Sequence, residues 1–388
     1  MDKVRVGIIG AGGMGLAHGK YLSKGRIEGA ELAALCDASA ESLTAAVEKL
    51  DADIQTFDSV DAMFHSGCID AVIIATPHYQ HPPLGIKAFD SGLHVLSEKP
   101  AGVYTAQVAE LNEAADRSGK IFSMMFQQRT IGIHKKLKDL LDSGELGEIK
   151  RSSWVVTNWY RPQSYYDAGG WRASWAGEGG GVLLNQSPHQ LDMWQWFCGM
   201  PKRIRAFCSF GKYHKIEVED DVTAYAEYEN GATGTFITST GEAPGTNRFE
   251  IAGDRGKIIM EANKLTFRRN RTPERQFNSE YTGGFGAPEV WDCDIPTGDK
   301  GGEHAEVTGA WIKAIIADDP SLLIADGREG IKSLELSNAM LLSTWTDEWV
   351  NLPIDAEKYH EMLQERIDTS TYVKDASKSK VMDVDGTF

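Results

Sequence analysis

A chain of 388 residues has room for two domains, and 41% hydrophobic with 25% charged residues is the balance of a globular protein. A formal net charge of −16 argues against nucleic acid or an anionic membrane as partner, and no run reaches the ~18 apolar residues of a membrane span. Five cysteines without a CxxC pair fit a reducing compartment, and "MDKVRVGIIGAGG" lacks a signal-peptide layout, so a cytoplasmic protein is expected.

Strand-like segments come first at Val4–Gly10, Glu31–Asp37, Ala71–Thr76, His94–Glu98 and Ile121–Phe126, with helical patterns between them. They are apolar nearly throughout, as in a parallel sheet covered on both faces. The alternation predicts a doubly wound α/β domain over residues 1–125. Its first strand runs into "GAGGMG". Gly10, Gly12 and Gly15 fill the three glycine slots of a dinucleotide fingerprint, with Gly13 and Met14 in the same loop. The helix that follows would offer its amide hydrogens to phosphates. Asp37 ends the second strand 22 residues beyond Gly15, where a carboxylate can accept from ribose hydroxyls and repel a 2′-phosphate. NAD is therefore expected rather than NADP.

Thr76, Pro77, His78 and His81 follow the third predicted strand, and Glu98, Lys99 and Pro100 follow the fourth. Both sets fall on the carboxyl rim, where open α/β sheets bind ligands. No third ligand accompanies the two histidines at metal spacing, so no metal is expected. In "HVLSEKPAG" a glutamate and a lysine, both poor strand formers, end an apolar strand. Side chains alternate there, so Glu98 and Lys99 point oppositely, and Pro100 restricts the lysine backbone.

From Gly144 the pattern turns to many strands, including hairpins at Asn230-Gly231 and at Asp254–Gly256. An α+β domain with a large, mostly antiparallel sheet is expected over residues 126–365, followed by a tail over 366–388. In "WAGEGGGVLLNQSPHQLDMWQWFCG", Asn185, His189 and Asp192 are spaced to share one helical face, and a histidine there can move a proton near neutral pH. The loop "NWYRPQSYYDAGGWRASW" is dense in aromatic and arginine side chains suited to a sugar ring and its hydroxyls. Tyr160, Arg161, Tyr165, Tyr166, Trp171 and Arg172 are candidate substrate or nicotinamide contacts, although such residues also favour subunit interfaces.

With "GAGGMG", "ATPHYQH" and "EKPAG" in this order, the chain resembles the glucose-fructose oxidoreductase / inositol dehydrogenase / MocA family. The resemblance implies a Rossmann domain and an α/β domain whose open sheet serves oligomerisation, hence a homodimer or homotetramer. It places Lys99 beside the nicotinamide and the substrate hydroxyl, and makes His189 the proton-transfer histidine. Asn185 stands where many members have aspartate. Thr76, Pro77, His81, Glu98, Lys99, Gln127, Trp171 and Arg172 join the glycine loop and Asp37 as the expected cofactor contacts. Lys99, Tyr160, Arg161, Tyr165, Tyr166, Asn185 and His189 are the expected substrate contacts. The run "WYRPQSYYDAGGWR…GEGGGVLLNQSPH" is further similar to members acting on glycosides and anhydrosugars such as levoglucosan. The expected activity is NAD-dependent oxidation of a secondary hydroxyl of a sugar, glycoside, anhydrosugar or cyclic polyol. The alternatives are redox-neutral glycoside cleavage through transient oxidation, and a non-catalytic dinucleotide-binding regulator.

Overall fold

The computed structural model describes residues 3–50, 52–298 and 300–374. The first sheet is wound from β1 (Val4–Ile9), α1 (Gly13–Ser23), β2 (Ala30–Cys36), α2 (Ala40–Leu50), β3 (Gln55–Phe57) and α3 (Val60–His65). It continues through β4 (Ala71–Ile74), α4 (His81–Asp90), β5 (His94–Ser97), α5 (Thr105–Ser118) and β6 (Phe122–Met124). All neighbours are parallel, in the order β3-β2-β1-β4-β5-β6. The chain reverses direction across the sheet at β1, between β2 and β4, which opens a crevice at the carboxyl ends of those strands. The apolar runs predicted as strands are buried as expected: β4 is covered along its whole length. Each ends one or two residues earlier than its sequence pattern, which leaves Gly10, Asp37, Thr76, Glu98 and Lys99 in the rim loops.

One strand escapes the pattern. β3 has three residues and a largely exposed face, so it presents no apolar run to read. The strand that ends in Glu98-Lys99-Pro100 is thereby the fifth of the sheet rather than the fourth.

After α6 (Gly132–Asp142) the second sheet begins with β7 (Ile149–Val156). Then come α7 (Gln163–Asp167), α8 (Pro188–Cys198), β8 (Arg203–Phe210), β9 (Glu219–Glu227), β10 (Thr233–Ser239) and β11 (Asn247–Gly253). The sheet is extended by β12 (Gly256–Glu261), β13 (Lys264–Asn270) and, past α9 (Glu274–Glu280), by β14 (Val290–Ile295). The chain finishes with α10 (Glu303–Ala317), α11 (Gly330–Thr346), β15 (Val350–Asn351) and α12 (Ala356–Thr369). The order is β14-β13-β12-β11-β7-β10-β9-β8-β15, antiparallel except where β7 meets β10. Both predicted hairpins form, β9–β10 across Asn230-Gly231 and β11–β12 across Asp254-Arg255. On its inner face Trp154 stacks on Phe249 at 4.4 Å and Trp194 on Phe236 at 5.4 Å, which seats α8 against the strands.

Trp311, Ile312 and Ile315 of α10 share a core with Val4, Val6, Ile8 and Leu35 of β1 and β2. A late helix therefore closes one face of the first sheet. Its apolar stripe declares that it must be buried but not against which sheet. α12 runs to Thr369, beyond the expected start of the tail, and residues 375–388 lie outside the described residues.

Candidate active site

The glycine loop separates two kinds of glycine. Gly10 has φ +99°, and a Cβ there would lie 2.5 Å from Ala75 O; a Cβ at Gly15 would lie 1.7 Å from Gly10 O. Both are required by the fold. A Cβ at Gly12 would meet nothing within 4 Å, so its bareness serves whatever approaches the loop. The first turn of α1 holds no acidic residue, and its amide hydrogens lie open to an anion. Asp37 Oδ2 accepts from Ala11 N at 2.7 Å and Oδ1 from Ser39 N at 2.8 Å, which braces the loop and leaves lone pairs for a diol. These residues fit the pyrophosphate and ribose of a dinucleotide. Gly12→Val is expected to raise the NAD dissociation constant roughly 100-fold, about 2.7 kcal/mol, with little change in melting temperature. Calorimetric titration and thermal denaturation check it, with Gly15→Val as the variant that loses the fold.

Lys99 is half-buried, and its Nζ donates to Asn185 O at 2.9 Å. Burial, then the charges of Arg172 and Arg161, push the ammonium below its usual range, while Glu98 and Glu178 oppose them. His189 lies in the first turn of α8, with its Nε2 3.3 Å from Gln127 Nε2. Burial, followed by the Lys99 charge, holds its imidazole well below the usual range, so it is neutral at pH 7. Its Nδ1 and the Oε1 of Gln127 are buried without a partner among the described residues. Two orphaned polar atoms beside an ammonium make a site suited to a polyhydroxylated ligand.

The expected single helical stripe divides in three. Asn185 precedes α8, in a turn where its N–H bonds Gly181 O at 2.9 Å, and it takes Lys99 with its main-chain carbonyl. Asp192 turns away to Arg129 at 2.6 and 2.8 Å. Only His189 enters the site from the helix. The glycine turn itself hangs on Glu219, a buried carboxyl that accepts from Gly181 N at 2.8 Å and Leu183 N at 3.0 Å. Burial pushes that group up to about 7. A carboxyl whose folded value lies above its unfolded one stabilises the fold at low pH. That contribution declines from about pH 4.5 to pH 7 as the proton is lost. The melting temperature of the wild type, measured relative to Glu219→Gln, is expected to fall across that window and then level off.

Arginines and aromatics line the mouth. The Arg172 guanidinium lies 4.8 Å from the Tyr165 ring and 4.7 Å from Trp171, and Arg161 lies 5.2 Å from Tyr165. Trp171 in turn meets the His78 ring at 4.8 Å, so this loop reaches the rim of the first sheet beside Thr76 and Pro77. Tyr160 is exposed. Tyr166, expected at the substrate, is instead fully buried with its hydroxyl on Thr240 Oγ1 at 2.7 Å. Adjacent tyrosines in the short α7 cannot both face the cleft. Two expected cofactor contacts also turn into the protein. His81 is buried with Nδ1 2.7 Å from the Pro100 carbonyl and Nε2 2.7 Å from the Thr76 carbonyl. Glu98 is buried and accepts from His18 Nε2 at 2.8 Å, its carboxyl lowered to about 2 against the cost of burial. Among the described residues no group of three or more His, Cys, Asp or Glu is placed to hold a metal ion.

Two side chains at the site went unread in the sequence. His18 lies three residues after Gly15, on the buried side of α1. Glu178 stands inside the glycine run, where a lone acid among residues chosen for close approach was the available signal.

Residues 4–126 match the oxidoreductase family with an NAD-binding Rossmann fold, and residues 134–259 match the GFO/IDH/MocA C-terminal domain. Inositol 2-dehydrogenase 1 of Paenarthrobacter aurescens is 26% identical over 354 residues, covering 82% of this chain and 98% of that protein. The WlbA dehydrogenase of Chromobacterium violaceum, solved with NADH and UDP-GlcNAcA, superposes with a TM-score of 0.79 at 29% identity, over 92% of this chain and 97% of that one. Levoglucosan dehydrogenase, solved with NADH and levoglucosan, shares the fold with a TM-score of 0.74 at 19% identity, over 90% of this chain and 100% of that one. A Rossmann sheet with an open glycine loop, a lysine at the end of its fifth strand and the matched second domain together make the chain a member of the Gfo/Idh/MocA family of NAD-binding oxidoreductases.

Proposed function

We propose that the protein oxidises a secondary hydroxyl of a sugar, glycoside, anhydrosugar or cyclic polyol, with NAD as acceptor. The observation that carries this reading is the meeting of Lys99, the Asn185 turn, Gln127 and His189 at the carboxyl rim of a dinucleotide-binding sheet. The inositol and levoglucosan dehydrogenases named above support the substrate class. Bound NAD supplies the hydride acceptor; the glycine loop, Asp37, Thr76, Pro77, Trp171 and Arg172 are the residues that would hold it. The protein supplies position and a route for the proton. Lys99 orients the reacting hydroxyl and, with its ammonium destabilised by burial, shares its proton. The neutral imidazole of His189 accepts that proton at Nε2, the nitrogen left with the lone pair when the Gln127 amide donates to it, as substrate takes the place of that amide. Arg161 and Tyr165 offer an aromatic and hydrogen-bonding wall to the sugar ring.

NADH formation at 340 nm (the absorbance of reduced nicotinamide) across monosaccharides, glycosides, anhydrosugars and inositols tests the reading. No signal from any of them would reject it, and glycoside cleavage without net NADH would favour the redox-neutral route. We also infer a homodimer or homotetramer in the cytoplasm. The exposed aromatic face of Phe207, Tyr225 and Trp349 at one end of the second sheet supports assembly, and five free thiols suit a reducing compartment.

A further inference from the structure

Glu178 occupies a junction that the Lys99–His189 pairing does not account for. It is 0% exposed, in the middle of a glycine run. A carboxylate removed from water in this way is costly unless its oxygens find donors, and both do. Oε2 accepts the main-chain amide of Ala173 at 2.7 Å, and Oε1 accepts the side-chain amide of Asn185. Ala173 has φ +71°, a conformation non-glycine residues rarely take, so the bond to its amide holds an unusual turn in place. The carbonyl of Glu178 faces His78 Nδ1 at 3.2 Å. One residue thus joins the rim of the first sheet, the turn after Trp171-Arg172, and the asparagine beside Lys99.

The bond to Asn185 has a directional consequence. An ionised carboxylate only accepts, so the amide must point Nδ2 at Glu178 and carry Oδ1 on its opposite side. Burial raises the Glu178 carboxyl, while Asn185, Ala173, Arg172 and Lys374 hold it down. Lys99, Tyr166, Glu219 and Tyr372 also lie within its electrostatic reach.

We propose that Glu178 is the positioning carboxylate of the active site. It fixes the Asn185 amide with its oxygen free to accept from substrate, holds the Trp171-Arg172 turn, and supplies at one remove the negative charge that asparagine lacks. The proposal rests on the dehydrogenase reading of Lys99 and His189.

Glu178→Gln is the direct test, because a glutamine can offer either end of its amide and no longer dictates the orientation of Asn185. The variant is expected to lose about 10- to 100-fold in kcat, as misplacement at a reacting centre does, with KM within about threefold. Glu178 raises the Lys99 ammonium, so the alkaline limb of the kcat–pH profile is expected to move to lower pH in Glu178→Gln. Glu178→Asp keeps the charge and should recover part of the rate even if Glu178→Gln folds poorly. A lowered melting temperature with unchanged kcat and pH profile would reduce Glu178 to a structural group and overturn the proposal. If the wild type oxidises nothing in the sugar panel, the dehydrogenase reading fails by itself. The Asn185 side-chain amide resonances then decide the question for Glu178. A shift in the variants supports the fixed amide, and unchanged resonances refute it.

Discussion

Replacing Lys99 with alanine is expected to lower turnover by roughly 10²- to 10⁴-fold, the range over which a positioned acid or base contributes, while NAD still binds. The reason lies in how the lysine is held. Among the described residues its ammonium makes one hydrogen bond, to the Asn185 carbonyl, and it carries no part of either sheet's core. The glycine loop and Asp37 stand on other elements, β1 and β2, so the cofactor grip should survive. Titration with NAD separates the two effects: loss of NAD binding, or turnover near wild type, would remove Lys99 from the reaction.

A second signature accompanies the loss. The Lys99 charge is the next largest cause, after burial, of the low value of His189. Without it the imidazole should protonate more easily, so the acid limb of the residual rate profile should move to higher pH. Arginine is not expected to rescue the site. Its guanidinium does not deprotonate and brings a planar fork into a space shaped for a point charge.

How legible these parts were in the sequence follows from how local their causes are. The glycine loop, Asp37, the lysine before Pro100 and both hairpins are written within a few residues each, and all appear where the pattern puts them. β3 was missed because three partly exposed residues carry no period. The return of α10 to the first sheet, the burial of Tyr166 and the inward turn of His81 are set by partners far along the chain, which no local pattern encodes. Asn185 is the instructive case. Its spacing from His189 fits a helix, but Pro188 opens α8 and the preceding turn is held by Glu219. Helical spacing was present without the helix.

A substitution at Arg129 should damage the fold severely. It is 3% exposed, bidentate to Asp192 at 2.8 and 2.6 Å, and 2.5 Å from Glu329. Its guanidinium also lies 5.4 Å from the Phe126 ring and 5.3 Å from Trp196. The cluster links the segment after β6, the helix that carries His189, and the turn before α11. Such a pair adds little over an apolar pair of the same shape, but removing one member strands a buried charge. Arg129→Met is expected to cost about 3–5 kcal/mol in urea denaturation, because Asp192 keeps a carboxylate that burial already disfavours. Its carboxyl is raised further without the guanidinium, so the native state holds the proton more tightly than the unfolded chain. The deficit should therefore be smallest in acid and widen as pH rises above 3.8, the ordinary aspartate value, until Asp192 ionises in the folded state. Arg129→Met combined with Asp192→Leu should regain most of the stability, since the stranded charge is gone. A single variant as stable as the wild type, or a double variant no better than the single, would mean that the cluster does not hold α8 in place. The position of His189 would then come from the contacts of α8 with the second sheet, among them Trp194 on Phe236 and its Nε1 on Ser152 Oγ at 3.0 Å.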